Sequence, residues 1–358
     1  MGDDSLETKV NYIHSYYELM DKFLIAQFKN ALGEISQDDV NHIYHEVIGY
    51  LEKNISDSDA DFVVTQKDKI NEIKGIFDSS FHELALLKTQ FNATCSSINI
   101  KNQLENFRCN KVFDNILLVL RKRYEAALPF VSGVLPISQY RTWFAENDCK
   151  ISCGGADKLM NVLLAQQEIN VKKIPEIKLF PSKNNKYFMI QMHCKPTCYV
   201  AYGGLDSLFK VSTFCHEIGH CCGDEDVALF DKFYSGQMKK ELIVSNEIPA
   251  YRFEKIFSDN LKNFLINTQI DEGMLQSCLL DWKKMKFYLD VLSSYCCLLY
   301  FSGKKLAEIQ FGFNQLALKM EPEFKISENS LQWFEYTNLA FPLSKLGYID
   351  AYLEVFAK

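Results

Sequence analysis

The sequence predicts a mainly α-helical fold carrying one small β-sheet, because its composition changes twice along the chain. Up to residue 128 there is no proline, and the glycines are Gly2, Gly33, Gly49 and Gly75, so long helices there meet few internal breakers. From Pro129 onward prolines and glycines accumulate, and short β-branched or aromatic runs lie between them. After Ser245 apolar residues again recur at helical spacing to the end of the chain. Residues 1–128 therefore read as a helical N-terminal region, and 129–358 as a second region in which the sheet and the chemistry lie.

Each element has its own reason. Segments near 8–32, 37–54, 61–92 and 98–127 carry apolar residues three and four apart, as in Ile70, Ile73, Ile76 and Phe77, which places them on one helix face. Asp38 before Val40, and Asp57 or Ser58 before Phe62, supply helix caps. His42, His45 and His82 in these segments read as solvated or packed side chains. Glu176 to Phe180, Lys186 to Met192 and Thr197 to Tyr202 are short, apolar or aromatic, and bounded by Pro, Asn or Gly, so they read as strands. The helices after Ser245 are expected to break near 258–260, 302–304 and 321–330.

Composition narrows the function. A chain of 358 residues, 47% hydrophobic, holds two domains or one large one with a deep cleft. The net charge of −7 is spread without long runs of one sign, which argues against a nucleic acid or an anionic membrane surface as partner. Segment 1–10 lacks the basic and apolar blocks of a signal peptide, and Leu6 stands where a myristoylation motif needs Ser or Thr. The stretch Val291 to Phe301 is too short to span a bilayer. Twelve cysteines without an export signal read as reduced thiols in a cytoplasmic compartment. None forms the two-residue-gap pairs usual in structural zinc sites.

The motif that carries chemistry is His216-Glu217-Ile218-Gly219-His220. On a helix, residues i and i+4 share one face, so both imidazoles reach one metal, and Glu217 reaches its water. Leu205, Leu208, Phe209, Ser212, Cys215 and Gly219 keep helical spacing through the motif, and Gly203-Gly204 with Asp206 or Ser207 makes a helix start. A catalytic zinc site needs a third protein ligand. Glu247 lies in Ser245-Asn246-Glu247-Ile248-Pro249-Ala250-Tyr251-Arg252-Phe253-Glu254, which reads as the start of a helix capped by Ser245, with Glu247, Tyr251 and Glu254 on one face. Glu254 or Tyr251 is then placed to orient a ligating imidazole. Asp226 competes, since His216-Glu-x-x-His220-x-x-Gly223-x-x-Asp226 fits the aspartate variant of the metzincin pattern.

The run Tyr199-Val-Ala-Tyr-Gly-Gly through His216-Glu-Ile-Gly219-His220, followed by Glu247-Ile-Pro249-Ala-Tyr-Arg-Phe-Glu254, resembles the metal-binding region of the thimet oligopeptidase and oligopeptidase F family. The resemblance covers roughly residues 195–305. It implies a zincin-like catalytic core of the gluzincin type, mainly helical, with the small sheet beside the metal-binding helix, a deep substrate channel, and zinc held by His216, His220 and Glu247. The family also holds the reacting carbonyl with a histidine and tyrosines from a late loop and helix. No histidine follows His220 here. Ser293-Ser294-Tyr295 and Phe287-Tyr288 are similar to that late region, which makes Tyr295, then Tyr288, the oxyanion donors. Ala250 replaces the family's usual Ser, Cys221-Cys222-Gly223 replaces a continuing helix, and the chain is shorter than typical members.

The expected function is zinc-dependent hydrolysis of peptide bonds in oligopeptides, with Glu217 as general base. Two alternatives stand beside it. One is a protein-cleaving, metzincin-like enzyme with Asp226 as third ligand. The other is a non-enzymatic helical interaction protein with a structural metal.

Overall fold

The computed structural model describes residues 18–19, 21–55, 86–91, 97–106, 114–131, 135–166, 174–192, 197–222, 247–266, 271–327, 331–337, 339 and 345–357. In chain order these form α1 (21–32), α2 (Gln37–Ile55), α3 (Ser97–Asn106), α4 (Asp114–Ala127), α5 (Tyr140–Asn147) and α6 (Ala156–Gln166). The strands β1 (Glu176–Pro181), β2 (Phe188–Gln191) and β3 (Thr197–Tyr202) follow, then α7 (Leu208–Cys221), α8 (Glu247–Asp259) and α9 (Leu261–Phe264). The chain continues as α10 (Glu272–Phe301), α11 (Leu306–Met320), α12 (Gln332–Tyr336) and α13 (Leu346–Val355). The described chain is thus mainly helical with one three-stranded sheet, and all three strands fall where their β-branched and aromatic runs place them.

Two compact units divide these elements. The first comprises Met1–Asn71, Lys150–Val227 and Ile256–Gln269. Its sheet has the order β1-β3-β2, with β3 parallel to β1 (Glu176 opposite Thr197) and antiparallel to β2 (Phe188 opposite Ala201). The central strand is covered on both faces, so Thr197, Cys198, Val200 and Ala201 are all buried. Alternation along the strand sorts its side chains. Tyr202 packs edge-on against Phe214 of α7 at 5.5 Å, while Tyr199 faces Phe28 of α1 at 5.9 Å. Phe28 also meets Phe180 and Phe188, closing one face with aromatic rings and leaving the other to α7.

The cap of α2 differs from expectation. Ser36, not Asp38, opens the helix: the Asp39 N–H donates to Ser36 Oγ at 3.2 Å, and the Ser36 N–H and hydroxyl donate to Asp39 Oδ2 at 2.9 and 2.7 Å. This reciprocal pair satisfies two donors that would otherwise lack acceptors, which a lone Asp38 would not do. These bonds hold the exposed Asp39 carboxyl below its ordinary range. The expected caps at Asp57 or Ser58, and His82, lie outside the described residues, and His42 and His45 are exposed.

The second unit comprises Glu72–Cys149, Ala228–Lys255 and Ile270–Lys358. Its axis is α10, which packs against α4, α5, α11, α12 and α13. A helix surrounded in this way turns most of its circumference inward, and beyond its first turns α10 buries Trp282, Met285, Phe287, Tyr288, Val291 and Leu292 among others, together with the charged Lys283 and Asp290. Phe287 stacks on Tyr352 of α13 at 4.2 Å, and Trp333 and Phe334 of α12 are fully buried. Each such ring contributes roughly 1.5–3 kcal/mol by leaving water. The Asp271 carboxylate accepts from the Gly273 N–H at 2.7 Å and caps α10. The breaks expected near 258–260 and 302–304 are present, and residues 321–327 are non-helical. Among the described residues no helix is long and apolar enough to cross a membrane.

Candidate metal centre

The helix bearing the two histidines is launched by a turn that only glycine fits. A Cβ on Gly203 would stand 2.8 Å from Asn185 Cα and 2.9 Å from the Tyr187 hydroxyl. The Gly204 N–H donates to Asn185 Oδ1 at 3.3 Å, and its carbonyl accepts the Tyr187 hydroxyl. The Ile151 N–H then donates to the Asp206 carbonyl at 3.1 Å, and Ser207, extended at φ −141° and ψ 158°, hands the chain into α7. Ser207 is the N-terminal boundary residue but makes no side-chain cap. Asp206 instead pairs with Lys210 at 2.9 Å, one turn along.

Within α7 the packing residues run almost all the way round, and they include Phe209, Val211, Phe214, Cys215 and Ile218. His216 is buried too, while Glu217 and His220 are half-buried. The two imidazoles stand perpendicular, ring centres 4.6 Å apart, with Nε2 of each 3.0 Å from the other. The helix ends at Cys222, whose N–H donates to the Gly219 carbonyl at 3.1 Å.

Thiols gather at this helix end. The Cys221 thiol donates to the Glu217 carbonyl at 3.5 Å and is hydrogen-bonded to Cys198 of β3. Burial pushes Cys221 well above the ordinary thiol range and Cys222 up to about 12. The bond from Cys221 lowers Cys198. Protonated, packed side chains at 221 and 222 agree with a packing role rather than ligation, because the metal ligand is the thiolate. The described cysteines are free thiols.

Glu247 is the first described residue of α8. Its oxygen and the ring nitrogens of His216 and His220 lie within 4.8 Å of one another, and this is the one such group of His, Cys, Asp or Glu found among the described residues. Nitrogen and oxygen ligands of a tetrahedral zinc ion, at ~2.0–2.2 Å from it, stand roughly 3.3–3.6 Å apart. The histidine pair at 3.0 Å and the group's limit of 4.8 Å bracket that spacing, and two nitrogens with one carboxylate are a donor set that suits zinc. The three residues could hold a metal ion. Asp226, the competing third ligand, and Ser245, the expected cap, lie outside the described residues.

Behind Glu247, Tyr251 and Glu254 follow at one and two turns and are both buried. The Glu254 carboxylate is ion-paired with Lys283 of α10, itself almost wholly buried. The Lys283 ammonium lies 4.7 Å from the Tyr251 ring centre and 4.3 Å from that of Trp282. Burial pushes Lys283 down to about 8, against the opposing pull of Glu254 and Glu247. Burial and the surrounding carboxylates push Tyr251 well above the usual phenol range. Lys283 was not legible in advance, since Lys283-Lys284-Met285-Lys286 reads as an ordinary solvated basic stretch.

The tyrosines expected to serve the carbonyl occupy different surroundings on α10. Tyr288 is fully buried beside Phe287. Tyr295 is half-buried, stacked on Tyr124 at 4.5 Å, and lines a groove with Leu299, Phe311 and Gly312. Desolvation raises the Tyr295 hydroxyl above the usual phenol range. Compared with protein-family models, curated proteins and solved structures, the chain matches none.

Proposed function

We propose that this chain is a zinc-dependent peptidase of the gluzincin type, resembling thimet oligopeptidase and oligopeptidase F, that hydrolyses oligopeptides. The observation that carries the reading is the convergence of His216 Nε2 and His220 Nε2 to 3.0 Å, with Glu247 in the same group. His216, His220 and Glu247 would hold the ion. Bound there, zinc supplies the acidity that makes a water nucleophilic near pH 7 and the polarisation of the scissile carbonyl.

The remaining work belongs to side chains. Glu217, next to His216 on a half-buried face of α7, takes a proton from the attacking water onto its carboxylate and returns it to the leaving amine nitrogen. On the resemblance, Tyr295, and after it Tyr288, would donate a hydroxyl to the developing oxyanion. His216 and His220 would offer the metal the lone pairs of their neutral imidazoles.

The test is digestion of an oligopeptide mixture and of intact folded proteins by the full chain, before and after zinc chelation. The expected result is zinc-dependent cleavage of peptides with folded proteins left whole. Cleavage that survives complete zinc removal, or none from a zinc-loaded chain, contradicts the reading.

A further inference from the structure

On the metal-binding reading proposed above, one residue of α10 has a role in the site without belonging to it. We propose that Lys283 is a positioning residue, which fixes the rotation of α8 about its own axis and thereby sets the direction in which that helix presents Glu247.

Helix periodicity places the two carboxylates together. Glu247, Tyr251 and Glu254 are spaced four and three residues apart, so they share one face of α8. Lys283 engages that face twice: its ammonium pairs with Glu254 and sits 4.7 Å from the ring centre of Tyr251. A rotation of α8 by one residue, about 100°, would swing Glu247 away from its present direction. The same rotation would also break the Glu254 pair and leave two charges buried, each 2% exposed, without each other. Apolar packing alone tolerates small rotations, because one apolar contact replaces another. A buried ion pair does not, and fixing of register is the best-attested use of such pairs.

The neighbouring charges extend the arrangement. Asp290, two turns after Lys283 on α10, is also buried and pairs with Lys345 at 3.2 Å. The field of Glu247 reaches both Lys283 and Asp290, so the proposed ligand and the buried charges share one electrostatic environment.

The experiment uses the full chain as wild type, Lys283→Met, and the double variant Lys283→Met with Glu254→Met. The double variant removes both charges with side chains of similar length, which buried pairs tolerate, so it stays folded where the single variant does not. Thermal unfolding is measured without metal, zinc affinity by competition with a chromophoric chelator, and coordination from the visible spectrum of the cobalt(II)-loaded protein. The expected result is zinc binding at least tenfold weaker in the folded double variant, in the range seen when groups that orient ligands are removed, with an altered cobalt spectrum. Unchanged zinc affinity and cobalt spectrum in the folded double variant overturn the positioning role while leaving the metal site standing. A wild-type chain that binds neither ion overturns both. Zinc binding that depends on Lys283 in a chain that cleaves no peptide keeps the positioning role and removes the peptidase reading.

Discussion

The segment from Asn185 to His220 and the helix α10 solve opposite problems in holding a polar side chain still. In the first, the backbone does the work: a glycine-only approach to Asn185, a strand in register on both sides and a helix of fourteen residues set the start of α7 and put His216 and His220 one turn apart on it. In the second, partners do it: Lys283 and Asp290 sit in an aromatic core because Glu254 and Lys345 come to meet them. Local geometry is written in adjacent residues. Partnership across 29 residues, as between Glu254 and Lys283, is not.

The sharpest way to separate the two regions is to change chemistry on α7 without changing its backbone. Glu217→Gln keeps size and helix, so zinc content should stay at the wild-type level while peptide hydrolysis falls by roughly 10²–10⁴, the usual worth of a positioned acid–base group. Steady-state kinetics beside metal analysis checks both halves. Full hydrolysis by this variant removes Glu217 as the base.

A core truncation in the second unit probes burial instead. Trp333→Ala removes a fully buried indole and should cost about 3–5 kcal/mol in denaturant unfolding. Gly203→Ala is the backbone counterpart: the new methyl would press on Asn185 Cα, and overpacking of this kind costs about 1–3 kcal/mol. Because the turn feeds α7, the alanine variant should also bind zinc more weakly. If it bound zinc normally, the turn would not be what aims the imidazoles.

A smaller effect reads the buried pair through pH. Lys283 titrates near 8 in the native chain against its ordinary 10.5. Between those values the unfolded chain holds a proton that the native chain has released, so stability rises with pH across that window. Below it both states are charged and the dependence vanishes. Lys88 is likewise held at about 8 by burial, so the informative quantity is the difference between wild type and the Lys283→Met, Glu254→Met double variant. The double variant should show a shallower rise from pH 8 to 10.5. Equal slopes would mean that Lys283 keeps its proton.

Much of the first region was legible for a physical reason. The β-branched and aromatic strand runs, the Gly203-Gly204 turn and the i, i+4 histidines are all encoded within a few residues of where they act. Glu247, Tyr251 and Glu254 share a face by periodicity alone. What periodicity omits is which partner covers that face, and so neither the Lys283 pair nor the stacking of Tyr295 on Tyr124 could be read ahead. The cap of α2 failed for a related reason. Ser36 and Asp39 satisfy each other, and a reciprocal pair outcompetes the single acid chosen by position.

The account rests on three side chains meeting at one ion, and zinc stoichiometry with X-ray absorption at the zinc edge tests it most directly. Wild type should hold one zinc per chain in a shell of two imidazole nitrogens and carboxylate or water oxygens, without sulfur. His216→Ala and Glu247→Ala, still folded, should each bind zinc more than about 100-fold more weakly, exceeding the loss caused by removing a ligand's supporting group. A sulfur scatterer in the shell, or wild-type zinc content in Glu247→Ala together with its loss in Asp226→Ala, would contradict it.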